Sequence, residues 1–187
     1  METVLGIAVG IGLSAACGVR VFVPLLVMNL MSLSGQLHLS SGFGWIGSHY
    51  ATIAFSTATI VEVLGCYIPW LDHVLDIVAT PAAIIAGTVA TASIITGLSP
   101  FLRWTLALIA GGGIAGLVQG TTVILRAKSL VSTAGIGNPS VSTLELAGSI
   151  ITAMLAILVP ILCLALIAFL CIFVIRKAGR LISGKMM

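Results

Sequence analysis

The chain has 187 residues, of which 59% are hydrophobic and 7% charged, with a formal net charge of +3 and a mean hydropathy of +1.27. Soluble chains carry about 25% charged residues, so a water-soluble domain is excluded and the solvent is lipid. Nucleic acid is excluded as a partner, because four of the eight basic residues (Arg176, Lys177, Arg180, Lys185) crowd into the tail, where such charges anchor a membrane protein against anionic headgroups.

Apolar runs long enough to cross a hydrocarbon core of about 30 Å recur along the chain, and the alternating segments of a transmembrane barrel do not. The fold class expected is all-α, a polytopic transmembrane helix bundle. Met1-Glu2-Thr3 has no basic region of the kind that opens a signal peptide, so the first run is read as a retained span. It extends from about Thr3 to Leu33 and is interrupted by Gly18, Arg20 and Pro24, where a break or kink is expected. After a loop from Ser34 to His49, a second span runs from about Tyr50 to Ile68 and ends at Pro69. Trp70 to Val78 reads as a short amphipathic helix in the interface, with Leu71, Val74, Leu75 and Val78 on one face and Asp72 and Asp76 on the other.

A third span, about Pro81 to Leu98, is followed by a turn at Ser99-Pro100 and a fourth span, about Leu102 to Leu125. A polar loop covers Lys128 to Ser142. Thr143 to Ile175 is again too long for one span, with Pro160 near its middle. Folding it into two spans about Pro160 gives six spans, with Arg126, Lys128 and the four tail residues on one side and Arg103 alone on the other. Five spans, the alternative, divides the same charges less cleanly. The expectation is about six spans in one transmembrane domain over residues 1–187, with a short basic cytoplasmic tail at 179–187 and both termini cytoplasmic, in a bacterial inner membrane.

Small residues recur every fourth position at Gly6, Gly10, Ser14 and Gly18, and again at Gly112, Gly116 and Gly120. Each set lies on one helix face and makes a seam where backbones approach closely. Superposing Gly18 on Gly120 aligns the two ladders and puts each just ahead of a polar spot, Arg20 in one and Gln119, Thr121 and Thr122 in the other. This suggests a 3+3 inverted-topology repeat with broken helices and halves at 1–99 and 100–178, as in many secondary transporters. The alternative is that such ladders mark any tightly packed bundle.

Polar residues inside the membrane are the candidate site. Arg20 stands deep in an apolar run, where a charge costs about 2.5–3.5 kcal/mol on insertion scales and needs a partner, a cavity or a kink. Glu62, the best-placed intramembrane acid, is its expected partner. Gln119, Thr121 and Thr122 complete the pathway candidates. Glu145 is secondary, because Ser142-Thr143-Leu144-Glu145 has the pattern of a capping box at a helix start. Asp72 and Asp76, also secondary, suit the positive end of a helix dipole better than they suit a metal with His73. The four cysteines, Cys17, Cys66, Cys163 and Cys171, lie in apolar runs without metal-ligand spacing. No catalytic, metal or cofactor motif is present, so neither an enzyme nor a cofactor is expected.

Gly18-Val19-Arg20 with Pro24, the run Val61-Glu62, Gly65, Ile68-Pro69-Trp70, Asp72, Asp76, then Thr80-Pro81 and Gly87, resembles an uncharacterised membrane family catalogued as domain of unknown function 4126. Ser132-Thr133, Gly135 and Asn138-Pro139 extend the likeness over most of the chain. Cys66-Tyr67 stands where the family commonly has Asp-Lys, and Thr80 where an Arg often precedes the proline, so any charge network of those residues is reduced here. The resemblance implies the membrane fold and no activity. Two functions are carried forward. One is a small transporter, channel or lipid translocator for a polar or anionic solute. The other is a non-transporting assembly subunit that binds a second copy or other membrane helices through its glycine seams.

Overall fold

The computed structural model describes residues 2–65, 69–133 and 138–183, with side chains at 3–65, 75, 77–129, 140–172 and 176. Among the described residues the regular structure is helical throughout: α1 (Glu2–Val19), α2 (Phe22–Leu33), α3 (His49–Gly65), α4 (Pro69–Ile94), α5 (Pro100–Leu106), α6 (Gly113–Thr133), α7 (Asn138–Leu158) and α8 (Pro160–Ser183). A short 3-10 turn at Gly44–Gly47 precedes α3, and a π-helical turn at Ala107–Gly112 joins α5 to α6. Ile77–Ile94, Pro100–Ser129 and Ser140–Leu158 are long and apolar enough to cross a membrane; Thr3–Val19, Phe22–Leu33 and Pro160–Ile172 are shorter apolar helices. Their outer faces expose Ile85, Ile109, Ile151 and Phe169. Water would drive so apolar a surface to aggregate, whereas lipid accepts it. The chain is an all-α membrane protein.

α1 is the axis of the bundle, with Leu13, Ala16 and Cys17 fully buried. Its ladder lies against α4 and α6. A Cβ on Gly10 would stand 2.9 Å from the Thr91 methyl, one on Gly18 2.7 Å from Val118 Cβ, and one on Gly87 2.6 Å from Ala115 Cβ. The missing side chains bring backbones close enough for Ser14 Oγ to donate to the Gly87 carbonyl at 2.7 Å and Thr91 Oγ1 to the Gly10 carbonyl at 3.0 Å. Gly112 and Gly116 pack on Ile84 of α4, while a Cβ on Gly120 would meet nothing within 4 Å among the described residues. The seams read from the sequence are therefore contacts within one chain.

These contacts also fix helix directions. Thr3 lies beside Gly97, Gly6 beside Ile94 and Gly10 beside Thr91, so α1 and α4 are antiparallel; Gly111 shares the level of Thr91 and Val118 that of Gly18, so α6 runs parallel to α1. The glycine ladders thus lie on two parallel helices, and their register is a packing match rather than the mark of an inverted copy. The proposed halves are also unequal. Residues 1–99 form four legs, α1 to α4, and the rest forms three, the α5–α6 rod, α7 and α8.

The first apolar stretch is two of these legs, not one broken span. The Ser40 amide donates to the Ser93 carbonyl at 2.7 Å, and the Ser40 hydroxyl accepts from Arg103 at 2.6 Å, which puts the loop after α2 at the end of the bundle where α1 begins. Had α2 continued along α1, its 12 residues would carry the chain about 18 Å the other way. α2 instead pairs antiparallel with α3, its first amides on Glu62 and its Asn29 on Thr52. The chain reverses at Arg20-Val21.

A second reversal falls at Val159, where Cys163 Sγ reaches back to the Thr152 carbonyl at 3.8 Å and Leu170 and Cys171 return to the level of Leu144. No polar turn residue is needed there, because Pro160 opens α8 with no N–H to leave unpaired. Thr3 therefore lies at one end of the bundle, with the Ser34–Ser48 loop, while Lys128 and Arg176 lie at the other, the basic end. The reversal at Arg20 overturns the expectation of both termini on one side.

Two helix boundaries also move. α4 is continuous from Pro69 through Pro81, so the expected interfacial helix and third span are one element. One lost hydrogen bond at an internal proline, here on the exposed face of α4, need not end a transmembrane helix. α7 starts at Asn138, ahead of Ser142, so Ser142-Thr143-Leu144-Glu145 is no capping box. Ser99 does cap α5, its hydroxyl accepting from Leu102 N–H with Pro100 following. The side chains of Asp72, His73, Asp76, Cys66, Lys177, Arg180 and Lys185 lie outside the described residues.

Candidate functional site

A chain reversal inside hydrocarbon leaves helix-end N–H and C=O groups with no water to meet them. The break between α1 and α2 is satisfied from three other helices, α3, α6 and α7. The Arg20 amide still bonds to the Ala16 carbonyl at 3.0 Å. Ser149 on α7 donates to that same carbonyl at 3.1 Å, and Thr122 on α6 reaches the Gly18 carbonyl at 3.4 Å. On the α2 side, Glu62 accepts from the Val21 amide at 2.8 Å and the Phe22 amide at 3.2 Å, one carboxylate oxygen to each. Glu62 thus caps α2 from a different helix, its negative charge against the positive end of the dipole.

Arg20 projects from this break and is only 1% exposed, and its Nη2 lies 3.4 Å from Glu145 Oε2. The same nitrogen donates to the Ser142 carbonyl at 3.2 Å and to the Ser142 hydroxyl, and Nη1 reaches the Glu62 backbone carbonyl at 3.4 Å. Glu145 in turn receives Arg126 across both oxygens, with Nε at 2.8 and 3.0 Å and Nη2 on Oε2. Two arginines and two glutamates from four parts of the chain form one buried network whose formal charges cancel. Such groups persist in low dielectric only when they are paired and hydrogen-bonded.

Two cavities flank the network. One, of about 510 Å³, is lined by Arg20, Glu62, Gln119 and Arg126 at its polar end and by residues of α2, α3 and α4 elsewhere. The other, of about 400 Å³, lies between α6, α7 and α8, with Glu145, Thr121 and Thr122 on an otherwise apolar wall. Every pathway residue expected from the sequence therefore borders one of the two. Gln119 shares the first cavity with Arg20, and Thr121 turns to the second.

Glu145 makes an ion pair with Arg20, whose Nη1 also reaches the Glu62 backbone carbonyl, and Glu145 is structurally central where the sequence made it a cap. Arg126 and Ser142 were missed as site residues. A signal existed: Gln119, Thr122 and Arg126 fall at three- and four-residue spacing on α6, as do Ser142, Glu145 and Ser149 on α7, so each helix carries one polar stripe. Among the described residues no group of three or more His, Cys, Asp or Glu side chains is placed to hold a metal.

Fold and site define a polytopic helical membrane protein built around a charge network at a broken helix. The chain belongs to the family described as Domain of unknown function (DUF4126), whose pattern matches residues 7–180. No curated protein and no solved structure matches it.

Proposed function

We propose that this protein moves a polar or anionic solute, or the headgroup of a lipid, across the membrane. The observation that carries the reading is the position of the Arg20 network, at a helix break and bordered by cavities on two sides. Broken helices with charged groups inside the membrane are how many secondary transporters hold their substrates. The basic end, with Arg126, Lys128 and Arg176, faces the cytoplasm by the positive-inside bias, and the N-terminus then faces outward. The assembly-subunit reading rested on glycine seams free to dock other helices. With Gly6, Gly10, Gly18 and Gly87 packed inside one chain, that reading has less to stand on.

Purified protein in liposomes is expected to pass a small anion or a labelled lipid headgroup. Arg20→Gln should lower the flux by at least about tenfold, the scale of a lost hydrogen bond to a charged group. Gln119→Leu should weaken it less. Full flux in both variants, with folding retained, would refute this site.

A further inference from the structure

The larger cavity has a polar end and an apolar end, and their order follows from helix direction. Arg126 stands nearer the basic end of the bundle than Gln119 on α6, and Glu62 nearer than Ala54, Thr57 and Ala58 on α3; on α4, Ala82 lies on the far side of Leu75 and Val78. The charges therefore sit toward the basic face and the apolar wall extends from them toward the middle of the bilayer. The cavity also opens sideways. Val61 and Val78 line it and are 54% and 58% exposed, with Ile60, Leu64 and Ile77 exposed beside them on α3 and α4. A rim of aliphatic side chains on the lipid-facing surface admits a molecule from the bilayer, not from water.

We infer that this cavity binds a single-chain anionic amphiphile, such as a fatty acid or a lysophospholipid, entering between α3 and α4 from the leaflet at the basic end. The inference rests on the transport reading for its site and names the class of ligand that site takes. Polarity fits, because a lipid in that leaflet places its headgroup toward the basic face and its tail toward the midplane, the same order as the cavity wall. Charge fits as well. Among the described residues this wall carries the guanidinium groups of Arg20 and Arg126 beside the Glu62 carboxylate, and Glu145, which pairs with both arginines, borders the other cavity, so a headgroup here meets guanidinium donors. A volume of about 510 Å³ is within the roughly 300–1,000 Å³ of small-molecule sites.

The test uses the full chain in phosphatidylcholine nanodiscs and a photoactivatable diazirine analogue of oleate, with the labelled residues mapped by mass spectrometry. Adducts are expected on α3 and α4 around Ala58, Val78 and Ala82, suppressed by excess oleate or oleoyl lysophosphatidate and not by acetate or inorganic phosphate. The stronger of the two lipid competitors tells a carboxylate headgroup from a phosphate one. Suppression by inorganic phosphate alone would replace the amphiphile with a free anion and overturn the inference, as would equal suppression by uncharged oleyl alcohol. Ala58→Phe with Ala82→Phe fills the apolar end without touching the network and should cut labelling by at least about tenfold, as should Arg126→Gln. Undiminished labelling in the folded Phe variant would also overturn it. The competition arms need only the native chain, so a variant that fails to fold leaves them decisive. Labelling is read without flux: labelling without transport sinks only the transport reading, and flux without labelling sinks only this inference.

Discussion

Replacing Glu145 by alanine is expected to destabilise the protein by about 3–5 kcal/mol, the largest single effect outside gross disruption of the bundle. Glu145 is 9% exposed and stands between two guanidinium groups, Arg20 and Arg126, that are 1% and 13% exposed. Removing it leaves two positive charges without the carboxylate they share, in surroundings that cannot solvate them. Thermal unfolding in detergent measures the loss. A double-mutant cycle with Arg126→Gln isolates the pair. The Arg126→Gln change should cost less in the Glu145→Ala background than in the native chain, because half of the network's frustration is then gone. Additive melting shifts would show that Arg126 and Glu145 are not coupled.

Gly87→Val is expected to be the next most damaging change, at about 1–3 kcal/mol or more, with loss of tight packing between α4, α1 and α6. The Cβ of any residue there meets Ala115 Cβ at 2.6 Å, the Gly111 carbonyl at 3.1 Å and Ser14 Cβ at 3.3 Å. Those neighbours are backbone or short side chains, with no flexible end to move aside. The shift would also pull Ser14 from the Gly87 carbonyl and from Thr91 Oγ1, each now 2.7 Å away. The smaller change Gly87→Ala should be partly rescued by Ala115→Gly, which removes the closest atom. Unchanged melting of Gly87→Val would mean that α4 and α6 do not approach as described.

The membrane class was legible because composition decides it, and the seams were legible because four-residue spacing of small side chains has one geometric meaning on a helix. The break at Arg20 was legible as well, since Gly18, Arg20 and Pro24 interrupt an apolar run. That the break is a reversal was not. Its stability comes from Glu62, Thr122 and Ser149, which lie at least 40 residues away in sequence and only a fold brings to Val21, Phe22, Gly18 and Ala16. A polar turn, the usual sign of a reversal, is replaced here by side chains from other helices.

Glu145 was misjudged for a local reason. The pattern Ser142-Thr143-Leu144-Glu145 competes with an earlier start signal at Asn138-Pro139, where a proline in the first turn loses no helical hydrogen bond, and the earlier signal prevails. Pro81 misled in the opposite direction, as a break that α4 simply passes through. The π-helical turn at Ala107–Gly112 had no clear sign beyond Gly111-Gly112-Gly113, whose small residues admit the close approach of Thr91 and Gly87.

The account turns on the reversal at Arg20, since that reversal buries the guanidinium at the wall of the larger cavity and sets the course of the chain. Single cysteines at Thr3, Ser34 and Ser183, introduced into a cysteine-free chain and labelled with a membrane-impermeant maleimide from each side of the membrane, read it directly. Thr3 and Ser34 are expected to label from one side, and Ser183 from the other. Labelling of Thr3 together with Ser183, opposite Ser34, would mean that α1 and α2 cross as one broken span, and would contradict the account.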